Sequence, residues 1–363
     1  MEMRKKFDEI FEDCTKLGTK IKTDGYHSNG KHPIIDQGQE MVAGFTDLED
    51  GLLDAVPAIV FGDHTRIIKY VDCPFFLGAD GVKVLRSKVP NANYRYLYYA
   101  LKNAKIPNTG YNRHYKWLKE LEIEYPPIDQ QVKTVKVLDK VESIIYNRQN
   151  QLQKLDELVK ARFVEMFGGI HDSSLYPYVP VKELTHVISG GTPSRDVLEY
   201  WRDGTIPWVK TTELQNKIIT EVDEHITSKG LAASSAKIVP PNTTLIAMYG
   251  QGKTRGMTGY LGISASTNQA CACILPSPEI NSVYIWKYFE LSYDKLRNMA
   301  KGGNQPNLNG NMIKNFPVLV PPIKRQEEYV QFVNQVDKSK VAVQKSLDEA
   351  QLLFDSLMQH YFG

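Results

Sequence analysis

The chain has 363 residues, 42% of them hydrophobic and 24% charged, with a formal net charge of +2. That length is enough for two domains with separate cores, and no apolar run approaches the roughly 20 residues needed to cross a bilayer. The opening MEMRKKFDEIFED turns charged before a signal-peptide core can form, so a cytoplasmic location without a membrane partner is expected. Cys14, Cys73, Cys271 and Cys273 form no CxxC or Cys/His cluster, which predicts reduced, mostly buried thiols and no metal site.

Residues 1–127 read as a globular mixed α/β segment. The strand-like run AVPAIVF leads into GDHT, which places Asp63, His64, Thr65 and Arg66 at a strand end. Residues 81–119 contain no Asp or Glu but nine Lys or Arg. Residues 225–278 are also free of acids, as are residues 295–326, which carry six basic residues. In a chain with 42 acids, this uneven distribution points to surfaces that follow phosphates. Inside the first stretch, ANYRYLYYALKNA is helix-like and its tyrosines are expected in a core. NTGYNRHYKWLK follows as a polar loop.

At Tyr125 the chain reads YPPIDQQVKTVKVLDKV, and from Val320 it reads VPPIKRQEEYVQFVNQV, an offset of 195 residues. The match runs without a gap until Phe167-Gly168 meets Phe362-Gly363, with eleven identities in 44 positions. Each Pro-Pro holds the chain extended and permits a helix to start behind it. Leu138, Val141, Ile145, Leu152, Leu155 and Val159 recur at three- and four-residue spacing in the first copy. Val336, Val343, Leu347, Ala350, Phe354 and Leu357 do so in the second. Arg148 and Lys340 interrupt the two seams. Helices of this length reach about 60 Å, and their apolar stripes predict that they pack on each other.

Residues 169–322 form the second globular segment. GGTPSR and IPWV, the latter followed by Lys210, come before the strand-like TTLIAMY. Trp208 is expected in the core. GQGKTRG then raises the question of a phosphate-binding loop, since Gly252-Lys253-Thr254 satisfies a loosened nucleotide signature. Such a loop needs a helix directly behind it, whereas RGMTGYLG is rich in glycine. GDHT in the first half occupies the matching place without the lysine, with Gly62 on Gly250 and Asp80-Gly81 on Asn268-Gln269. The loop is therefore read as a strand end that presents Lys253, Thr254 and Arg255. CACIL, the helix-like SVYIWKYFELSYDKL, the loop KGGNQPNLNG and the strand-like FPVLV complete the segment.

Two such halves, each closed by a PPI-initiated helix, resemble the specificity subunit of a Type I restriction-modification enzyme. GGTPS, IPWV, SSAKIVP, NQAC and GGNQPNLNGNMIKNFPVLVPPIKRQEEYV carry the resemblance in the second half; PIIDQGQ, IVFGDHT and FLGADGVKVL carry it in the first. The resemblance implies an α+β chain with target recognition domains at residues 1–127 and 169–322. Spacer helices at residues 128–168 and 323–363 would form an antiparallel coiled coil. Each domain would read one part of a split double-stranded DNA target. The coil would set the gap and dock two methyltransferase subunits, with restriction (motor and nuclease) subunits joining them. No cofactor is implied for this chain; S-adenosylmethionine, ATP and magnesium belong to the partner subunits.

Side chains expected to contact DNA are His64, Arg66, Asn112, Arg113, His114 and Lys116 in the first half. In the second half they are Thr192, Ser194, Arg195, Lys210, Lys253, Thr254, Arg255, Lys301, Asn304, Gln305 and Asn307. Lys and Arg neutralise phosphates, while Asn, Gln and Arg can pair bidentately with base edges. Two other readings are a coiled-coil scaffold without DNA readout and a specificity subunit of a related methyltransferase-nuclease system. Intrinsic catalysis is disfavoured: the Pro-Pro sites read YPPI, VPPN and VPPI, and none has Asp or Asn before Pro-Pro with an aromatic residue behind it, as an amino-methyltransferase tetrapeptide requires.

Overall fold

The computed structural model describes residues 4–78, 80–250, 252–300 and 307–363. Both Pro-Pro-Ile segments open helices of 40 residues, Ile128–Phe167 and Ile323–Phe362. A proline at a helix start loses no hydrogen bond, because the first N–H groups have no partner within the helix. Gln131 and Gln326, each 1% exposed, fold back and donate Nε2–H to the carbonyls of Pro126 and Pro321, both at 2.8 Å. These residues are equivalents in the 195-residue repeat, so the repeat preserves contacts as well as letters. Gly168, at φ +78°, ends the first helix with its N–H on the Val164 carbonyl.

The chain forms two compact units, one of residues 1–150 with 344–363 and one of residues 151–343. In the first unit, Leu138 and Val141 share a buried cluster with Phe354 and Met358. Thr134 and Val137 line one cleft with His360 and Tyr361, while Arg148 Nε donates to Ser346 Oγ at 3.1 Å. The numbers run in opposite directions, so the two helix segments are antiparallel there. In the second unit, Phe163 meets Tyr329 edge-on at 5.5 Å, and Lys340 Nζ lies 2.5 Å from Asp156 Oδ1. That pairing is antiparallel as well. The seam interruptions at Arg148 and Lys340 are thus polar bonds between helices.

Each unit repeats one sheet plan. In the first, a four-stranded antiparallel sheet runs Phe11–Asp13, Val82–Ser87, Ala58–Gly62, Ile68–Val71. In the second, the order is Val187–Ser189, Cys271–Ile274, Thr244–Ala247, Thr258–Leu261, with Lys217–Ile219 added in parallel at the edge. A three-stranded sheet accompanies each: Gly44–Thr46, His32–Ile35, Phe76–Leu77, and His225–Ile226, Ile206–Val209, Ser266–Thr267. Short ribbons then tie the beginning of each globular part to its end, Arg4–Lys6 with Glu122–Glu124 and Tyr178–Pro180 with Pro317–Leu319.

Two aromatic-rich helices, Tyr94–Lys102 and Ser282–Leu291, pack under these sheets against the long helices. Their tyrosines are core residues, as the sequence suggested. Tyr96 and Tyr284 donate their hydroxyls to the carbonyls of Glu124 and Leu319, at 3.1 and 2.9 Å. Burial removes each ring from water while its polar end keeps a partner. Trp208 is 2% exposed. The thiols follow expectation only in part: Cys271 and Cys273 are buried, Cys14 is half-buried, and Cys73 is exposed. Cys73 sits in the short bend between strands Ile68–Val71 and Phe76–Leu77, beyond the reach of either sheet's core.

Candidate nucleic-acid interface

An interior strand of each main sheet is followed by a residue whose backbone joins three loops. In the first unit this is Asp63. Its N–H donates to the Gly81 carbonyl at 2.7 Å, and its own carbonyl accepts from His114 N–H at 2.8 Å. In the second unit it is Met248, which donates to the Ala270 carbonyl at 2.8 Å and accepts from Leu308 N–H at 3.0 Å. His114, in the polar loop NTGYNRHYK, and Leu308, in NLNG, are therefore tethered to the same point of the two sheets. Of the loop KGGNQPNLNG, Lys301, Asn304 and Gln305 lie outside the described residues; Asn307 is half-buried beside the tether.

Around Asp63, Gln37 acts as a clamp. Its Oε1 accepts from His64 N–H at 3.2 Å, its Nε2–H donates to the Asp80 carbonyl at 3.1 Å, and its carbonyl accepts from Thr65 Oγ1–H at 2.7 Å. A Cβ at Gly62 or Gly81 would collide with Gln37, and Gly81 holds φ +95°. Arg66, at φ +64°, turns its guanidinium to the Ile106 carbonyl at 3.2 Å. Asn112 and Arg113 are exposed, and the Lys116 ammonium lies 4.7 Å from the Trp117 ring centroid.

His114 requires a correction. It is fully buried: its ring Nδ1–H donates to the Asp63 carbonyl at 3.0 Å, and its Nε2 faces Thr109. Its place in a run of exposed polar residues suggested a contact, but the ring is the loop's anchor and has no face left for DNA.

In the second unit, the GKT segment lies between antiparallel strands Thr244–Ala247 and Thr258–Leu261, so a strand follows it and not a helix. Arg297 Nη1–H donates to the carbonyls of Gly252 and Arg255, at 2.8 and 3.0 Å, and Tyr293 donates its hydroxyl to the Lys253 carbonyl at 2.7 Å. Helix Tyr293–Met299 thus fixes the loop through its carbonyls. Lys253 is left exposed; Thr254 and Arg255 are half-buried.

Arg195 and Lys210 were expected as free phosphate ligands, and the structure gives them an internal partner. Both reach Glu224, at 2.5 and 3.0 Å, and Lys210 also meets Asp223 at 3.3 Å. The Arg195 guanidinium lies 3.7 Å from the Trp201 ring centroid and 4.7 Å from that of Trp208. Burial pushes the Glu224 carboxyl up, but hydrogen bonds from Arg195 and Lys210 outweigh it and hold the group below its ordinary range. The bond to Glu224 in turn raises Lys210. Thr192 donates to Gln269 Oε1, and the exposed Ser194 offers its carbonyl to Trp201 Nε1–H at 3.0 Å.

Gln37, Glu224, Arg297 and the exposed Tyr111 are the residues that sequence reasoning passed over. The first three act across 14 to 45 residues of chain, and no local pattern marks such partners.

The family described as the Type I restriction modification DNA specificity domain matches residues 3–157 and again 175–350. The chain is 22% identical over 346 residues to the Type I restriction enzyme EcoR124I/EcoR124II specificity subunit of Escherichia coli, covering 90% of this chain and 84% of that one. It is 27% identical over 165 residues to the Type I restriction enzyme MjaIX specificity subunit of Methanocaldococcus jannaschii, covering 43% of this chain and 37% of that one. Among solved structures, the S subunit of a Type-I restriction-modification system from M. genitalium shares the fold, with TM-score 0.58 and 17% identity over 98% of this chain and 94% of the other.

Proposed function

Since this chain belongs to the Type I restriction-modification DNA specificity family, we propose that it is the non-catalytic specificity subunit of such a system. Each unit reads one part of a split double-stranded DNA target. The observation that carries this reading is the duplicated tether: Asp63 with His114 and Met248 with Leu308 set corresponding polar loops at corresponding strand ends. Those loops fall in the acid-free stretches. Exposed Arg113, Lys116 and Lys253 supply phosphate contacts, and Asn112 and Asn307 supply amides for base edges.

Helices Ile128–Phe167 and Ile323–Phe362 act as spacers, and residues 1–127 and 169–322 as the recognition domains. Apolar side chains on the helices at Val132, Tyr146, Val341 and Leu352 are exposed and suit docking of two methyltransferase subunits, through which restriction subunits join. S-adenosylmethionine, ATP and magnesium then serve the partners, and the complex works in the cytoplasm.

The test is the purified chain mixed with its methyltransferase subunits, labelled methyl donor and duplex DNA. Methyl transfer should require both components and one split sequence, and binding should weaken steeply with salt. Methylation by the chain alone, or no DNA binding at low salt, overturns the proposal.

A further inference from the structure

Tyr111 is 87% exposed, more than any other large hydrophobic side chain among the described residues. It belongs to none of the buried clusters, yet its ring is held in place. It stacks on His64 with centroids 4.6 Å apart and planes 9° from parallel. His64 is itself fixed: Gln37 binds its N–H, a Cβ at Gly81 would come within 2.8 Å of its Cδ2, and its Nδ1 is buried with no partner among the described residues. The loop that carries Tyr111 is pinned on both sides. His114 is bound to Asp63, the Thr109 carbonyl accepts from Asn112 Nδ2–H, and Gly110 takes φ +78° to make the turn.

A ring fixed against one neighbour and bare on its other face contributes little to the fold, because the bare face gains nothing from burial. It lies in the acid-free stretch richest in cations, residues 81–119, two positions from Arg113. An aromatic face flanked by positive charge suits the edge of a base in the major groove, above all the thymine C5-methyl group, which is apolar and lies beside phosphates. Holding the ring in advance also lowers the ordering cost of binding.

We propose that Tyr111 is a specificity-determining residue of the first unit, with its free ring face set against a base of the first half-target and His64 as its backing plate. The inference rests on the DNA-reading function proposed above. It adds the residue, the face and the half of the target.

The experiment uses the assembled complex with methyltransferase subunits and a duplex library randomised in both parts of the target, with methylated products sequenced. Tyr111→Ala should cut the preference at one or two adjacent positions of the first part about tenfold and leave the second part unchanged. Tyr111→Phe should keep the preference, since the ring carries it. His64→Ala should weaken selection of the first part without changing the sequence selected. The second part reports in every variant that the protein is folded. Unchanged preference at all positions in Tyr111→Ala, or an equal loss for all sequences, overturns the inference. A wild-type complex with no sequence preference overturns the proposed function instead.

Discussion

Glu224 shows what one residue can hide. Arg195, in GGTPSR, and Lys210, after IPWV, read as available cations, and both turn out to share this carboxylate. His114 reads as a surface donor and is an anchor, because its carbonyl partner lies 51 residues away on a strand end. By contrast, the burial of Trp208 and of the helix tyrosines was legible, since apolar spacing marks it directly. His171 carries a consequence for pH. Its ring lies edge-on to Tyr288 and Phe316, with Nδ1 buried. Burial, reinforced by the charge of Lys295 and opposed by Asp172, lowers its pKa from 6.5 to about 4. The unfolded chain therefore takes up this proton first. Stability should be insensitive to the group above pH 6.5 and fall between there and about 4. Urea unfolding of the second unit across that range should show the loss, and His171→Phe should flatten it; an equal slope in the variant refutes the assignment.

At the scale of elements, the two aromatic helices are fastened to the long helices by different polar networks at equivalent places. In the first unit, Arg95 binds Asp139 and Glu142, Tyr99 donates to Asp139, and Lys102 meets Glu142. In the second, Lys287, 4% exposed, meets Glu290 at 3.0 Å and Asp337 at 3.8 Å, and Lys340 joins Asp337 to Asp156. The helices themselves were legible from Pro-Pro, seam and glycine. The networks were not, because the charges have been reassigned: Lys102 corresponds to the acid Glu290. Removing one partner strands the others, and the groups are partly solvated, so Arg95→Ala should destabilise the first unit by about 1–3 kcal/mol. Asp139→Asn in the same chain should cost less than it does alone. Denaturation of the two single variants and the double variant measures that coupling, and simple additivity rules the network out.

For the whole molecule, the repeat was the most legible feature, since two copies of one helix signal imply two copies of what lies between. The added strand Lys217–Ile219 was not foreseen, because KII is too short to stand out as a strand. If the long helices set the distance between the half-targets, as proposed, then one heptad added to both preserves the seam and lengthens the spacer by about 10 Å. The gap in the methylated sequence should grow by roughly three base pairs while both half-targets stay the same, at ~3.4 Å per step. A compensating twist will be needed where the longer spacer no longer follows the groove. Mapping methylated sites for the lengthened chain with its partners decides it, and an unchanged gap excludes the spacer role.

The first unit is assembled from the two ends of its chain, with residues 344–363 supplying Phe354 and Met358 to a cluster begun by Phe7 and Phe11. That ordering bears on synthesis. The intervening 193 residues, 151–343, take about 10–40 s to translate at ordinary rates. Throughout that interval Leu138 and Val141 have been made and their covering side chains have not. The half of the protein that leaves the ribosome first is therefore the last to close, and a chain halted between Val343 and Phe354 carries a complete second unit and an open first one.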